Sequence, residues 1–122
     1  MEDMYNKRKD QIIDLAKLLE EHKAEKVIVL YVGENSSWTD FFIIATPRSR
    51  AHLQGLIRHL QDFFSAQKIQ PLHSRKSGSE AGWILIDCGY FIVHLMEEEQ
   101  REFYELEKLW FKCPEIYSSR SS

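Results

Sequence analysis

The side chains able to do chemistry are scattered along this chain. Asp40 and Asp87 are single carboxylates far apart in sequence, and no DxD or DxE pair occurs. Two-metal phosphoryl transfer needs paired carboxylates to hold the ions, so the pattern argues against it. His22, His52, His59, His73 and His94 show neither H-x-x-x-H nor HExxH spacing. No metal site is expected from them. Cys88 and Cys113 have no CxxC partner and read as two free thiols of a reducing cytosol. Ser77-Gly78-Ser79 has the small residues of a phosphate-cradling turn, but neither a helix start nor a catalytic partner accompanies it. It reads as a flexible loop. There is no P-loop and no GxGxxG, so no cofactor is expected.

A different kind of constellation lies near residue 90. Trp83 to Asp87 and Tyr90 to Met96 read as the two strands of a β-hairpin turning at Cys88-Gly89. That turn would pair Asp87 with Tyr90, Leu85 with Ile92 and Trp83 with His94. Side chains alternate across a strand. One face therefore carries Ile84, Ile86, Phe91, Val93 and Leu95 and belongs to the core. The other carries Trp83, Leu85, Asp87, Tyr90, Ile92, His94 and Met96, mixing large aromatics with isolated polar groups. Such a mixture fits a partner interface with Trp83 pointing away from the main core. It equally fits a second small core under a covering helix. His94, in mid-strand, reads as a hydrogen-bonded structural histidine.

The elements that must position this hairpin follow from periodicity. Ile12, Ile13, Ala16 and Leu19 recur at helical spacing between about Met4 and Glu21. Lys26 to Val32 is a short apolar run that reads as a strand buried on both faces. Phe41 to Thr46 is a second strand, ended by Pro47. Ser49 is a plausible N-cap for a helix whose apolar stripe is Leu53, Leu56, Ile57, Leu60, Phe63 and Phe64. A short edge strand is expected around Leu72, followed by a mobile loop to Gly82. A final acidic helix, about Glu98 to Trp110, would anchor through Phe103, Leu106 and Trp110. The order α-β-β-α-β-β-β-α predicts one α/β domain, a mixed β-sheet with flanking helices, over residues 1–117. Residues 118–122 are expected as a disordered tail.

Bulk composition sets limits. With 122 residues, 43% of them hydrophobic and 29% charged, the chain can bury a core without disulfides or metals. Its net charge of −3 argues against salt-driven binding to a nucleic-acid backbone. Residues 1–26 are charged throughout and show no signal-peptide or transit-peptide pattern, and no apolar run is long enough for a membrane span. A cytoplasmic protein without membrane attachment is expected. The glutamates at 97, 98, 99, 102, 105 and 107 face only Arg101 and Lys108 in the last helix. They form either a solvated helix face or a patch complementary to a basic protein.

Five blocks of sequence, in the family's order, resemble the ribosomal silencing factor (Iojap) family. Ser36-Ser37-Trp38-Thr39-Asp40-Phe41-Phe42-Ile43-Ile44-Ala45-Thr46 is similar to its S-S-x-T-D-[YF]-F-[VI]-I-A-T segment, and Ser49-Arg50-Ala51-His52 to the S-x-x-H that follows. Trp83-Ile84-Leu85-Ile86-Asp87-Cys88-Gly89 resembles W-[IV]-L-[IL]-D-[YF]-G. Phe91 to Met96 and Arg101 to Trp110 resemble V-V-H-[VI]-F and R-x-[FY]-Y-x-L-E-x-L-W. Tyr90 stands where the family usually has an acidic residue, and Pro47 where it usually has a small one.

The resemblance implies a nucleotidyltransferase-like fold without catalysis and a homodimer when free. It implies binding to the fourteenth protein of the large ribosomal subunit, which blocks joining of the small subunit and represses translation. It also implies that Trp83, Leu85, Asp87 and His94 belong to the partner-binding surface. Their neighbours Tyr90 and Met96 complete the candidate set. The competing readings are a nucleotidyltransferase-like enzyme, which lacks its carboxylate pair, and a direct RNA binder, which the charge disfavours.

Overall fold

The computed structural model describes residues 2–76 and 82–119. The chain runs α1 (Glu2–Glu21), β1 (Glu25–Tyr31), β2 (Phe41–Thr46), α2 (Arg50–Gln67), β3 (His73–Lys76), β4 (Trp83–Asp87), β5 (Phe91–Met96), α3 (Glu98–Tyr104), α4 (Leu106–Leu109) and β6 (Glu115–Ser118). The six strands form one mixed sheet in the order β3-β4-β5-β2-β1-β6. Among the described residues its one parallel pair, β2 with β5, is aligned from Phe41 opposite Phe91 to Ala45 opposite Leu95. A parallel pair needs a long crossover, and α2, β3 and β4 supply it. The single α/β domain with a mixed sheet and flanking helices is thus as expected.

Both long helices pack on one sheet face. From α1 come Ile12, Leu15, Ala16 and Leu19, and from α2 Leu53, Leu56, Leu60 and Phe64, all buried. They meet Val27, Val29, Phe41, Ile43, Ala45, Ile84, Ile86, Phe91, Val93 and Leu95, which project to that side of the four inner strands. Burying one such side chain stabilises by roughly 1.5–3 kcal/mol. Within α1, Leu15 replaces Ile13 as the expected core residue, Ile13 being only half-buried. Helix α2 has the foreseen cap: the Ser49 side chain accepts the His52 backbone N–H at 3.0 Å. It ends at Lys68, whose left-handed backbone closes the last turn on Phe64 and Ser65 carbonyls.

Four expectations need correction. The hairpin turn is Gly89-Tyr90, one position later than expected, because the Cys88 N–H closes on the Phe91 carbonyl at 2.9 Å. Gly89 takes the positive φ of 91° at the first turn position, where a tight hairpin turn calls for glycine. Asp87 therefore pairs with Ile92, Leu85 with His94 and Trp83 with Met96. The slip is two residues, so every side chain within the two strands stays on its expected face.

The expected last helix is broken at Glu105, which has a left-handed backbone at φ 47°. The break turns Phe103 to solvent, while Leu106 stays buried and Trp110 half-buried. The expected edge strand begins at His73 and leaves Leu72 exposed, although the Leu72 N–H still bonds the Asp87 carbonyl. Finally, Ser118 ends strand β6, opposite Ile28, and the Ser119 hydroxyl accepts the Val27 N–H at 2.9 Å. Neither belongs to a disordered tail. Residues 120–122 and the Ser77-Gly78-Ser79 turn lie outside the described residues.

Candidate functional site

The second sheet face carries the candidate residues, and its cover is thin. It presents Ile28, Leu30, Val32, Phe42, Ile44, Ile92 and Met96, over which lie Leu106, Cys113 and Trp110 of the C-terminal segment. Helices of 20 and 18 residues shield the first face, whereas α3 and α4 have 7 and 4. Trp83 and Leu85 sit at the margin of this second cluster, half-buried. Both readings of the face are therefore partly realised: a small second core occupies its centre and an aromatic margin remains open.

One hydrogen bond and three ring contacts organise the margin. The Trp83 indole N–H donates to Nδ1 of His94 at 3.1 Å, reaching one strand over. Tyr104 packs on the outer side of Trp83 with ring centroids 4.8 Å apart. Phe42 meets His94 edge-on at 4.8 Å and Trp110 edge-on at 5.0 Å. Such pairs contribute about 0.5–1.5 kcal/mol each beyond simple burial.

These contacts fix the state of His94. Burial drives its pKa down to about 4, so the imidazole is neutral at pH 7. Because Nδ1 accepts from Trp83, the proton sits on Nε2. That atom is buried and has no hydrogen-bond partner among the described residues. A ring so weakly basic and so enclosed is poorly placed for proton transfer at neutral pH. Its role here is to hold Trp83.

The candidate set is split. Trp83, Leu85 and Asp87 share the half-open margin of β4. His94 and Met96 are buried and cannot touch a partner without rearrangement. Tyr90 leaves the group, which corrects its expected placement. As a turn residue it swings to the first face, where its hydroxyl donates to the Gln11 carboxamide oxygen and the Arg8 guanidinium lies 4.3 Å from its ring centre. Asp87 Oδ1 accepts the Gly89 N–H at 2.9 Å and shapes the turn. Asp40 pairs with Arg8 at 3.8 Å. Among the described residues, no three His, Cys, Asp or Glu side chains are grouped to hold a metal.

Sequence reasoning missed the outer part of this surface. Trp38, Phe103, Leu109 and Phe111 are 60%, 78%, 71% and 74% exposed. Single exposed apolar residues are ordinary, but three within nine positions, the first of them in ring contact with Tyr104, are not. The signal was the density of aromatics among glutamates from 98 to 111, read as a plain amphipathic helix. Several acids of this region are engaged internally. Glu97 pairs with Arg50 at 2.7 Å, Glu98 with Lys26 at 2.6 Å and Glu105 with Lys108 at 3.3 Å.

Fold and surface together define a class: a single-domain α/β protein whose mixed sheet is closed on one face and carries an incompletely covered aromatic margin on the other. The family model described as ribosomal silencing factor during starvation matches residues 5–122. The chain belongs to that family. A ribosomal silencing factor of Treponema pallidum is 33% identical over 100 residues, covering 81% of this chain and 88% of that protein. The mouse protein named mitochondrial assembly of ribosomal large subunit protein 1 is 34% identical over 98 residues, and the match spans 43% of its length. A crystal structure from Bacillus halodurans superposes with a TM-score of 0.71 at 32% identity, covering 88% of this chain and 98% of that one.

Proposed function

We propose that this protein docks on the large ribosomal subunit through the margin of its second sheet face, contacts the fourteenth large-subunit protein, and sterically blocks joining of the small subunit. The observation that carries this reading is the half-open aromatic margin of Trp83 and Leu85 in a member of the silencing-factor family. Interfaces are anchored by such residues, set in apolar surroundings and ringed by polar groups. His94 and Met96 act from beneath as supports, and Asp87 through the turn. Tyr90 is left out of the contact surface.

The action is binding rather than catalysis. Asp40 is engaged by Arg8 and Asp87 by the hairpin turn, so neither is set up for two-metal chemistry. No cofactor is part of the proposal. The chain acts in the cytoplasm and is a homodimer when free. No helix among the described residues is long and apolar enough to cross a membrane.

A photo-crosslinking amino acid placed at Leu85 tests the contact. With purified large subunits it is expected to capture the fourteenth protein. Capture of ribosomal RNA alone, or of a small-subunit protein from mixed subunits, contradicts the proposal.

A further inference from the structure

We propose that Phe103, which shares its short helix with Glu99 and Glu102, and Leu109 beyond the helix break form a second anchoring surface that receives a basic protein face with an apolar centre. This rests on the proposed large-subunit docking and extends it from β4 onto the short helices α3 and α4.

The starting point is the break at Glu105. A continuous helix from Glu98 to Trp110 would turn Phe103, Leu106 and Trp110 to one side. The left-handed turn at Glu105 sends Leu106 inward and leaves Phe103 and Leu109 outward. A left-handed backbone at a non-glycine residue carries a conformational cost. Here it presents apolar side chains to water instead of burying them. Phe103 stands 4.9 Å from Tyr104, and Tyr104 stands 4.8 Å from Trp83. The exposed rings are thus continuous with the margin of the sheet face.

The acids decide what can cover this surface. Glu97, Glu98 and Glu105 are tied to Arg50, Lys26 and Lys108. Glu99 and Glu102 are exposed and have no ion-pair partner among the described residues. They flank Phe103 on the same short helix. A phosphate backbone would be repelled by them, whereas lysine and arginine side chains would be drawn in. The occupant is therefore a protein surface with a basic rim. Exposed carboxylates of this kind act mainly on encounter, and the apolar pair acts on residence.

The test uses the full chain and purified large subunits, with rates measured by surface-immobilised binding. Phe103→Ser with Leu109→Ser is expected to melt like the parent, since both side chains are exposed, and to raise Kd about 30-fold through faster dissociation. Glu99→Lys with Glu102→Lys is expected to slow association about 5- to 10-fold at low salt with little change in dissociation. That difference should fade as salt rises from about 50 to about 500 mM. If the parent itself fails to bind large subunits, the underlying docking proposal is lost. Suppose instead that the parent binds and the serine pair binds equally well; then this second surface is wrong while docking through β4 stands. Tighter binding by the lysine pair identifies an RNA contact and overturns the basic-protein assignment. A serine pair that loses only self-association, with subunit binding intact, assigns the patch to a second copy of the chain and overturns it too.

Discussion

The indole N–H of Trp83 donates to Nδ1 of His94 over 3.1 Å, tying the half-open margin of the sheet face to its buried centre. The bond needs a neutral imidazole, because a protonated ring would present a second donor to the indole. Stability of the second face is thereby linked to pH.

The sign follows from where the proton is bound. In the unfolded chain a histidine titrates near 6.5, while in the fold burial holds His94 down to about 4. Below about 6.5 the unfolded state takes up a proton that the folded state refuses. Stability is therefore full above pH 6.5 and falls as the pH drops toward 4, by at most about 1.4 kcal/mol per pH unit from this group. Urea unfolding at pH 7.0 and 5.0 should differ by about 2 kcal/mol, and His94→Leu should flatten the difference. Equal pH dependence in parent and variant would show that His94 is not the coupled group.

Trp83 has two duties, and two substitutions separate them. Trp83→Phe keeps most of the packing against Tyr104 but leaves Nδ1 of His94 without its donor, at a cost of about 1–2 kcal/mol. Trp83→Ala also removes the ring, with an expected loss of about 2–3 kcal/mol for a half-buried site. Subunit binding should survive the first far better than the second. Chemical denaturation and binding measured on the same samples check this, and indistinguishable losses in the two variants would contradict it.

At Asp87 the turn predicts a structural effect. Asp87→Ala deletes the acceptor of the Gly89 N–H and should destabilise by about 1 kcal/mol. Asp87→Asn retains a side-chain oxygen and should stay within about 0.5 kcal/mol of the parent. Thermal melts of both variants suffice. Equal destabilisation by the two would mean that the carboxylate charge, not the turn contact, matters.

Tyr90 supplies a negative control. Its ring lies on the α1 side with Arg8 and Gln11, away from the proposed contact surface. Tyr90→Ala should lower the melting temperature by a few degrees, corresponding to roughly 1 kcal/mol, and leave large-subunit affinity unchanged. A large affinity loss without loss of stability would return Tyr90 to the interface.

Residues with strong local pattern were legible. The stripe Leu53, Leu56, Leu60, Phe64 and the cap Ser49 set α2, and alternation alone placed Ile84, Ile86, Val93 and Leu95 in the core. The illegible parts depend on distant or rare events. Strand β6 has four residues and exists through pairing of Ile28 with Ser118 and Val29 with Tyr117, across almost the whole chain. The break at Glu105 uses a left-handed glutamate that helix propensity opposes. Missing that break hid the outward turn of Phe103 and thus the outer part of the surface. The burial of Met96 and His94 followed from the same segment folding over the sheet, which strand periodicity does not report. Tyr90 was misplaced because the hairpin turn could sit at either of two positions around Gly89, and only one keeps residue 90 within the strand.

Steric blocking of subunit joining is tested most directly by sedimenting a mixture of purified large and small subunits with increasing amounts of the protein. The expected result is a saturable loss of joined ribosomes, with the protein comigrating with free large subunits, and a much weaker effect from Trp83→Ala at equal folded concentration. Joined ribosomes undiminished at saturation, or protein found only with small subunits, would contradict the account.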